Sequence, residues 1–366
     1  MGFYVVCDAD AFIQYSQSPN LLFSTQKYPQ QSRPLYVLAG WLVGKPIQLL
    51  IEISGLSGPY FRNLRGYFLG YIFLNFIFLF FSIILFKKIC DYYAKGRAYD
   101  KLLLYSLLIF LSSNIVTKAF FWTAHTQMLV FFVPLFCLYS ILLLKNSSLS
   151  FKYIILISFI LGILPLFYAS FVFCLPSLVY ALFICKKNYL RIQNYPKIFA
   201  CSLVFTIPTL LWIWILQMKN IPYYNHEIVA YRQFVWIFDS IKISPLFFLQ
   251  KLWSNIIIFI MTFRGILFFI ITITILFAIL QFYKIKIKGK ENISNLLDII
   301  FLIIIISIFF LCMGYYQLRL TFTLEPLLLV LIFILANLIK KNIGVFLFII
   351  AIIWHIINVF SYGPFL

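Results

Sequence analysis

The chain has 366 residues, of which 64% are hydrophobic and 11% charged. That balance excludes a soluble domain of this size, which needs far more charge to cover its surface. The formal net charge of +19 does not indicate nucleic acid, because Lys and Arg fall in short clusters between apolar runs, as cytoplasmic loops do.

Apolar runs of 18 residues or more recur along the whole length. Alternation over segments of about ten residues, the mark of a membrane β-barrel, is absent. The class is an all-α polytopic membrane protein with no separate soluble domain.

In chain order, Met1–Cys7 reads as the tail end of an apolar run and predicts a first transmembrane helix ahead of it. Asp8-Ala9-Asp10 follows. Only 10 residues of the chain are acidic, and two stand here. On an extended segment, residues two apart point the same way. Such a pair can hold a divalent cation, or one carboxylate can act as general base while the other orients an acceptor. The bland alternative is a solvated loop.

Gln31-Ser32-Arg33-Pro34-Leu35-Tyr36 comes next. A guanidinium here suits either a lipid phosphate, gripped by paired hydrogen bonds, or ordinary headgroup anchoring. Leu35–Ile53 is apolar but carries Lys45, Pro46, Gln48 and Glu52. A mid-membrane Lys costs about 2.5–3.5 kcal/mol, so 34–55 reads as one or two interfacial helices.

Ten spans are expected at 66–86, 102–117, 127–144, 153–166, 168–185, 198–217, 254–282, 297–314, 322–339 and 343–361. Pro165 favours a tight hairpin between the fourth and fifth over one long helix. The basic clusters at 87–101, 145–152, 186–197, 284–290 and 340–341 all follow odd-numbered spans. All five therefore land on one side, which should be cytoplasmic. Residues 1–65, the segment 118–126, the loop 218–253 and the turn 315–321 then lie outside. The expected organisation is an external segment 1–65 with the acidic motif, then a helical membrane domain 66–366 with the external loop 218–253.

Several external or intramembrane polar residues are candidates. His125 could carry a proton, although a packed histidine is commoner. The loop 218–253 holds His226 and Glu227 among tyrosines suited to sugar stacking or the interface, but no second histidine completes a zinc motif. Arg264 inside a span should face a polar cavity, a phosphate or a partner. Tyr316, Gln317 and Arg319 stand at the outer mouth of the ninth span, with Glu325 one to two turns inside it. An acidic residue there is costly. His355, in the last span, reads as structural. The seven cysteines form no CxxC pair and read as small hydrophobes. No phosphate-binding Gly loop and no Ser-His-Asp signal appears.

Together these features resemble the GT-C superfamily of integral-membrane glycosyltransferases. Its acidic motif in the first external loop is matched by Asp8-Ala9-Asp10. Its interfacial helices, opened by a basic residue, are matched by Arg33-Pro34-Leu35-Tyr36. Its late Arg before prolines is matched by Arg319 to Pro326. The departures are the missing first span, a short external loop and Arg-Leu where Arg-Tyr is commoner. The resemblance implies about ten spans, eleven with the helix expected ahead of Met1. It implies transfer of a sugar, with inversion, from a polyprenyl-phosphate donor to a lipid, glycan or protein acceptor. This would occur on the extracytoplasmic face of the plasma membrane, in cell-envelope glycan biosynthesis. Asp8 or Asp10 would be the base, Asp8 slightly favoured, and Arg33 and Arg319 would bind the donor phosphate. His125, Tyr316, Gln317, His226 and Glu227 would be substrate-binding candidates. No cofactor is implied. A divalent cation on Asp8 and Asp10 is compatible but not required. A flippase for a lipid-linked glycan and a polysaccharide polymerase are the competing expectations; the first predicts internal repeats and midplane charges, the second a large late external loop.

Overall fold

The computed structural model describes residues 7–25, 29–55, 65–94, 100–146, 150–184, 195–284, 290–314, 316–339 and 343–361. All regular structure among them is helical. Eight helical stretches are long and apolar enough to cross a membrane: Pro34–Ile53, Gly66–Ala94, Thr126–Lys145, Tyr195–Met218, Pro245–Phe282, Leu296–Met313, Leu318–Ile339 and Ile343–Phe360. Shorter apolar helices cover Lys101–Ser112, Phe151–Leu166 and Ala169–Phe183. The chain is an all-α multi-pass membrane protein. Of the basic residues used to orient it, Lys95, Arg97, Lys186, Lys187, Arg191, Lys286, Lys288, Lys340 and Lys341 lie outside the described residues.

The chain divides into two units. The first takes the residues up to Ile77, with Trp122–Thr126 and Ser140–Val235. The second takes Phe78–Phe121, Gln127–Tyr139 and the residues from Trp236 onward.

In the first unit, α1 (Cys7–Gln17) packs on α2 (Pro34–Ile53). Pro34 at the first helical position starts α2, where its missing N–H costs nothing. Gly55, with φ of 68°, lies just past its end. α2 is one continuous helix of 20 residues, the first of the two alternatives expected for 34–55. It folds back antiparallel on the start of α3 (Arg65–Ala94). Gly40 meets Tyr71, Gly44 meets Tyr67, and Gly66 meets Gln48. Small residues four apart let two helix backbones approach closely. A Cβ on Gly70 would stand 2.7 Å from the Gly44 Cα. The Gly66 N–H, one of the orphan donors of a helix start, donates to Gln48 Oε1 at 2.8 Å. Gly70→Leu should destabilise the protein by about 1–3 kcal/mol through overpacking. Thermal unfolding in detergent, beside a control at the half-exposed Leu69, checks this.

The Tyr71 hydroxyl joins three elements. It lies 2.6 Å from Ser16 Oγ, 3.4 Å from the Phe12 carbonyl and 3.3 Å from the Tyr36 carbonyl. Further along, α7 (Phe151–Ile163), α8 (Cys174–Ile184) and α9 (Tyr195–Met218) pack on one another. The 3-10 turns at Leu164–Leu166 and Ala169–Phe173 separate α7 from α8. The chain is broken at Pro165, as expected of a hairpin rather than one long helix.

In the second unit, α4 (Lys101–Ser112) packs along α17 (Ile343–Phe360), and both end near Ser113. The Ser113 carbonyl accepts from Trp354 Nε1 at 2.7 Å, and its hydroxyl lies 2.7 Å from His355 Nδ1. The second contact ties His355 to the end of α4. The expected span 102–117 is broken at Ser113 and Asn114, and α5 (Ile115–Phe120) follows. Almost every side chain of α16 (Glu325–Ile339) is buried, packed on α4, α13 (Leu267–Phe282) and α14 (Lys290–Met313).

The segment 218–282 departs from expectation. The sequence predicts a loop to 253 and then one span. Instead it folds as α10 (His226–Tyr231), α11 (Val235–Ile243) and α12 (Pro245–Thr262), then a 3-10 turn at Phe263–Ile266 and α13. One straight helix over the 38 residues of Pro245–Phe282 would run about 57 Å, nearly twice the hydrocarbon thickness. Two contacts place α12. Its Phe248 ring stacks on Trp236, whose Nε1–H donates to the Cys312 carbonyl at 2.8 Å. Its Phe259 ring lies 5.6 Å from the Tyr316 ring. These anchors are three turns apart on α12, yet both meet the chain around the end of α14. So α12 lies across that end rather than alongside the helix. Arg264, expected inside a span, is exposed in the turn between α12 and α13.

Candidate functional site

Arg33 stands at the N-cap of α2 with its backbone outside helical geometry. The 3-10 turn before it, Pro29–Ser32, is buried at Gln30, Gln31 and Ser32. Gln31 organises the surroundings. Its carbonyl accepts from Trp212 Nε1 at 2.9 Å, near the end of α9. Its side-chain oxygen accepts from the Tyr224 N–H at 3.1 Å, and its Nε2 donates to the Leu22 carbonyl at 3.3 Å.

The Arg33 guanidinium forms an ion pair with Glu227. The two side chains are only 11% and 5% exposed. The guanidinium carbon lies 4.8 Å from the Tyr168 ring centroid and 5.7 Å from that of Phe12. Both rings offer cation–π contacts. The second Glu227 oxygen faces Ser32 Oγ at 3.5 Å. α10, which carries Glu227, is capped by Asn225, whose side chain accepts from the Ile228 N–H at 3.2 Å. It ends at Arg232 in the left-handed region, φ 52°. Beside it, His226 Nδ1 lies 3.0 Å from the Tyr224 hydroxyl.

Burial alone would raise the Glu227 carboxyl. The charge and hydrogen bond of Arg33, with smaller help from the backbone and His226, outweigh it and hold the group below its ordinary range. A depressed carboxyl contributes stability that is present above its unfolded value of 4.5 and lost as pH falls through the lower folded value. Wild type and Glu227→Gln should therefore differ in thermal stability at about pH 6 and converge on acidification below the unfolded value. Melting curves of the two proteins across that range test it.

Asp8 and Asp10 lie on α1, a helix, not on an extended segment. Positions two apart on a helix diverge by about 200° around the axis. The backbone thus removes the geometry in which both carboxylates face one cation. The Asp8 side chain lies outside the described residues. Asp10 is exposed with Gln14 and Gln17, on one polar face. The opposite face, Ala9, Phe12, Ile13 and Ser16, is buried. Phe12, two residues beyond Asp10, reaches the Arg33 guanidinium. Asp10, Arg33, His226 and Glu227 thus belong to one unit, and so does His125, which is buried.

Arg319, Tyr316 and Gln317 belong to the second unit. Arg319 lies on the short helix α15 (Leu318–Thr321), its guanidinium 5.6 Å from the Phe120 ring. Its carbonyl accepts from Gln127 Nε2 at 3.1 Å. The Tyr316 hydroxyl donates to the Leu311 carbonyl at 2.7 Å, and burial pushes its phenol up. Gln317 caps α15 without a side-chain bond to the helix. Glu325 is fully buried and accepts from Asn114 Nδ2 at 3.2 Å, while Asn114 Oδ1 caps α5 by accepting from the Thr117 N–H.

Compared with known protein families, with curated proteins and with solved structures, the chain matches none. Tyr168, Phe12 and Ser32 are the site residues that sequence reasoning missed. Only Ser32 had a local signal, its place next to Arg33.

Proposed function

We propose that this chain is an integral-membrane glycosyltransferase of GT-C type, acting on the extracytoplasmic face with a polyprenyl-phosphate sugar as donor. One observation carries the reading: α1, which presents the exposed Asp10 carboxylate on one face, packs its other face through Phe12 against the buried Arg33 guanidinium at the start of α2. A carboxylate open to solvent can take the proton of an acceptor hydroxyl. A guanidinium beside two aromatic rings can stabilise charge developing on a phosphate leaving group. The transfer forms a bond from the acceptor oxygen to the anomeric carbon and breaks the bond from that carbon to the phosphate oxygen. The acceptor proton goes to Asp10, and the lipid phosphate leaves with the electron pair.

The topology supports this placement. The first turn of α2 is tied through Gln31 to the end of α9, and its second half folds onto the start of α3. The expected alternation of spans puts those two ends on the same side. Both ends of α2 are therefore external, and α2 lies at the surface although it is long enough to cross. By the same logic α12 lies across the outer end of α14, so the external segment continues to the turn holding Arg264. The proposal takes as its ten spans α3, α4, α6 (Leu129–Asn146), α7, α8, α9, α13, α14, α16 and α17.

The test is a donor panel. Purified protein in lipid nanodiscs should consume prenyl-phosphate sugars and leave nucleotide sugars untouched. Consumption of nucleotide sugars alone would rule the proposal out.

A further inference from the structure

Arg33, the residue read above as the donor-phosphate ligand, already holds an anion. We propose that Glu227 is a built-in stand-in for the donor phosphate, and that a prenyl-linked phosphate binds Arg33 by displacing Glu227 and releasing α10. This inference rests on the glycosyltransferase reading and adds to it how the site opens.

Three observations lead there. First, the ion pair is almost completely buried. A phosphate arriving beside an intact pair would set two anions on one desolvated cation, which is costly. Exchange avoids that: the phosphate takes the place of the carboxylate instead of joining it. Second, the Tyr168 and Phe12 rings lie 4.8 and 5.7 Å from the guanidinium carbon, while Glu227 takes an Nη–H group, the kind of donor by which an oxyanion is gripped. Third, α10 is built to detach. It has six residues and lies between Asn220, with φ of 57°, and Arg232 and Phe234, with φ of 52° and 60°. Left-handed backbone is uncommon for side-chain-bearing residues, and for a bulky residue such as Phe it is an outlier that costs of order 1–3 kcal/mol. Such outliers cluster at clamps and switches. Ile228, Val229 and Tyr231 of α10 are exposed, whereas Glu227 anchors it inward.

A latch closed for about nine-tenths of the time weakens apparent ligand affinity about tenfold. The test uses the full chain in phosphatidylcholine nanodiscs, with farnesyl phosphate, farnesol and inorganic phosphate as probes. Glu227→Gln should bind farnesyl phosphate about tenfold more tightly than wild type, and Arg33→Gln should not bind it. Amides 226–231 should exchange faster on adding farnesyl phosphate to wild type, and should already exchange fast in Glu227→Gln without ligand. Glu227→Asp, which draws the carboxylate back by one methylene, should tighten binding as well and stands in if the Gln variant does not fold. Binding that depends on Arg33 but is unchanged or weakened in both Glu227 variants would overturn the latch and leave the donor reading standing. Inorganic phosphate bound as tightly as farnesyl phosphate would overturn the prenyl-linked ligand. No binding of any phosphate to folded wild type or variants would overturn both the latch and the donor reading.

Discussion

Asp10→Asn should lower sugar transfer by about 10²- to 10⁴-fold, the contribution expected of a general base, while leaving the melting temperature nearly unchanged. Asp10 is exposed, so its amide isostere removes the proton acceptor without opening a cavity. Because α1 is a helix, Asp8 and Asp10 cannot act as one paired site. Asp8→Asn should therefore cost far less than Asp10→Asn. Equal large losses in both single variants would point back to a shared cation and against the single base. Initial rates with a prenyl-phosphate sugar, measured for both variants beside wild type, decide between them.

The second large effect concerns stability. Arg33→Ala should destabilise the protein by about 3–5 kcal/mol, because removing one partner of a buried pair strands the other charge. Glu227→Ala should cost a similar amount. The double variant should be less destabilised than the sum of the singles, since neither charge is then left alone. Denaturation of the four proteins forms the cycle. Additive losses would mean that the pair is not energetically coupled and that its contact is incidental.

Much of the helical layout was legible in the chain. The break at Pro165 and the apolar runs around α9, α14, α16 and α17 follow from local composition and from the length a bilayer demands. Three features were not legible, for physical reasons. The pairing of Arg33 with Glu227 joins residues far apart in sequence, and no local pattern encodes a long-range partner. The Gly40 and Gly44 pair facing Gly66 and Gly70 is visible as spacing, but it acquires meaning only once α2 folds back on α3. The third is the path of α12. The helix is apolar enough to cross a membrane by length and composition, and long-range anchors such as Trp236 and Tyr316 turn it across the end of α14. At the acidic motif, spacing suggested an extended pair, and packing of Ala9, Phe12, Ile13 and Ser16 against neighbouring helices made a helix instead. On a helix the two carboxylates are separate candidates rather than one pair.

The central claim is that this membrane protein makes a glycosidic bond. Proteoliposomes carrying the purified chain, supplied with a polyprenyl-phosphate sugar labelled in the sugar and with an acceptor, test it most directly. The account predicts a new glycosidic bond of inverted anomeric configuration, one polyprenyl phosphate released per sugar transferred, and loss of both in Asp10→Asn. Intact donor moving between leaflets with no new bond would contradict it and would mark the protein as a flippase.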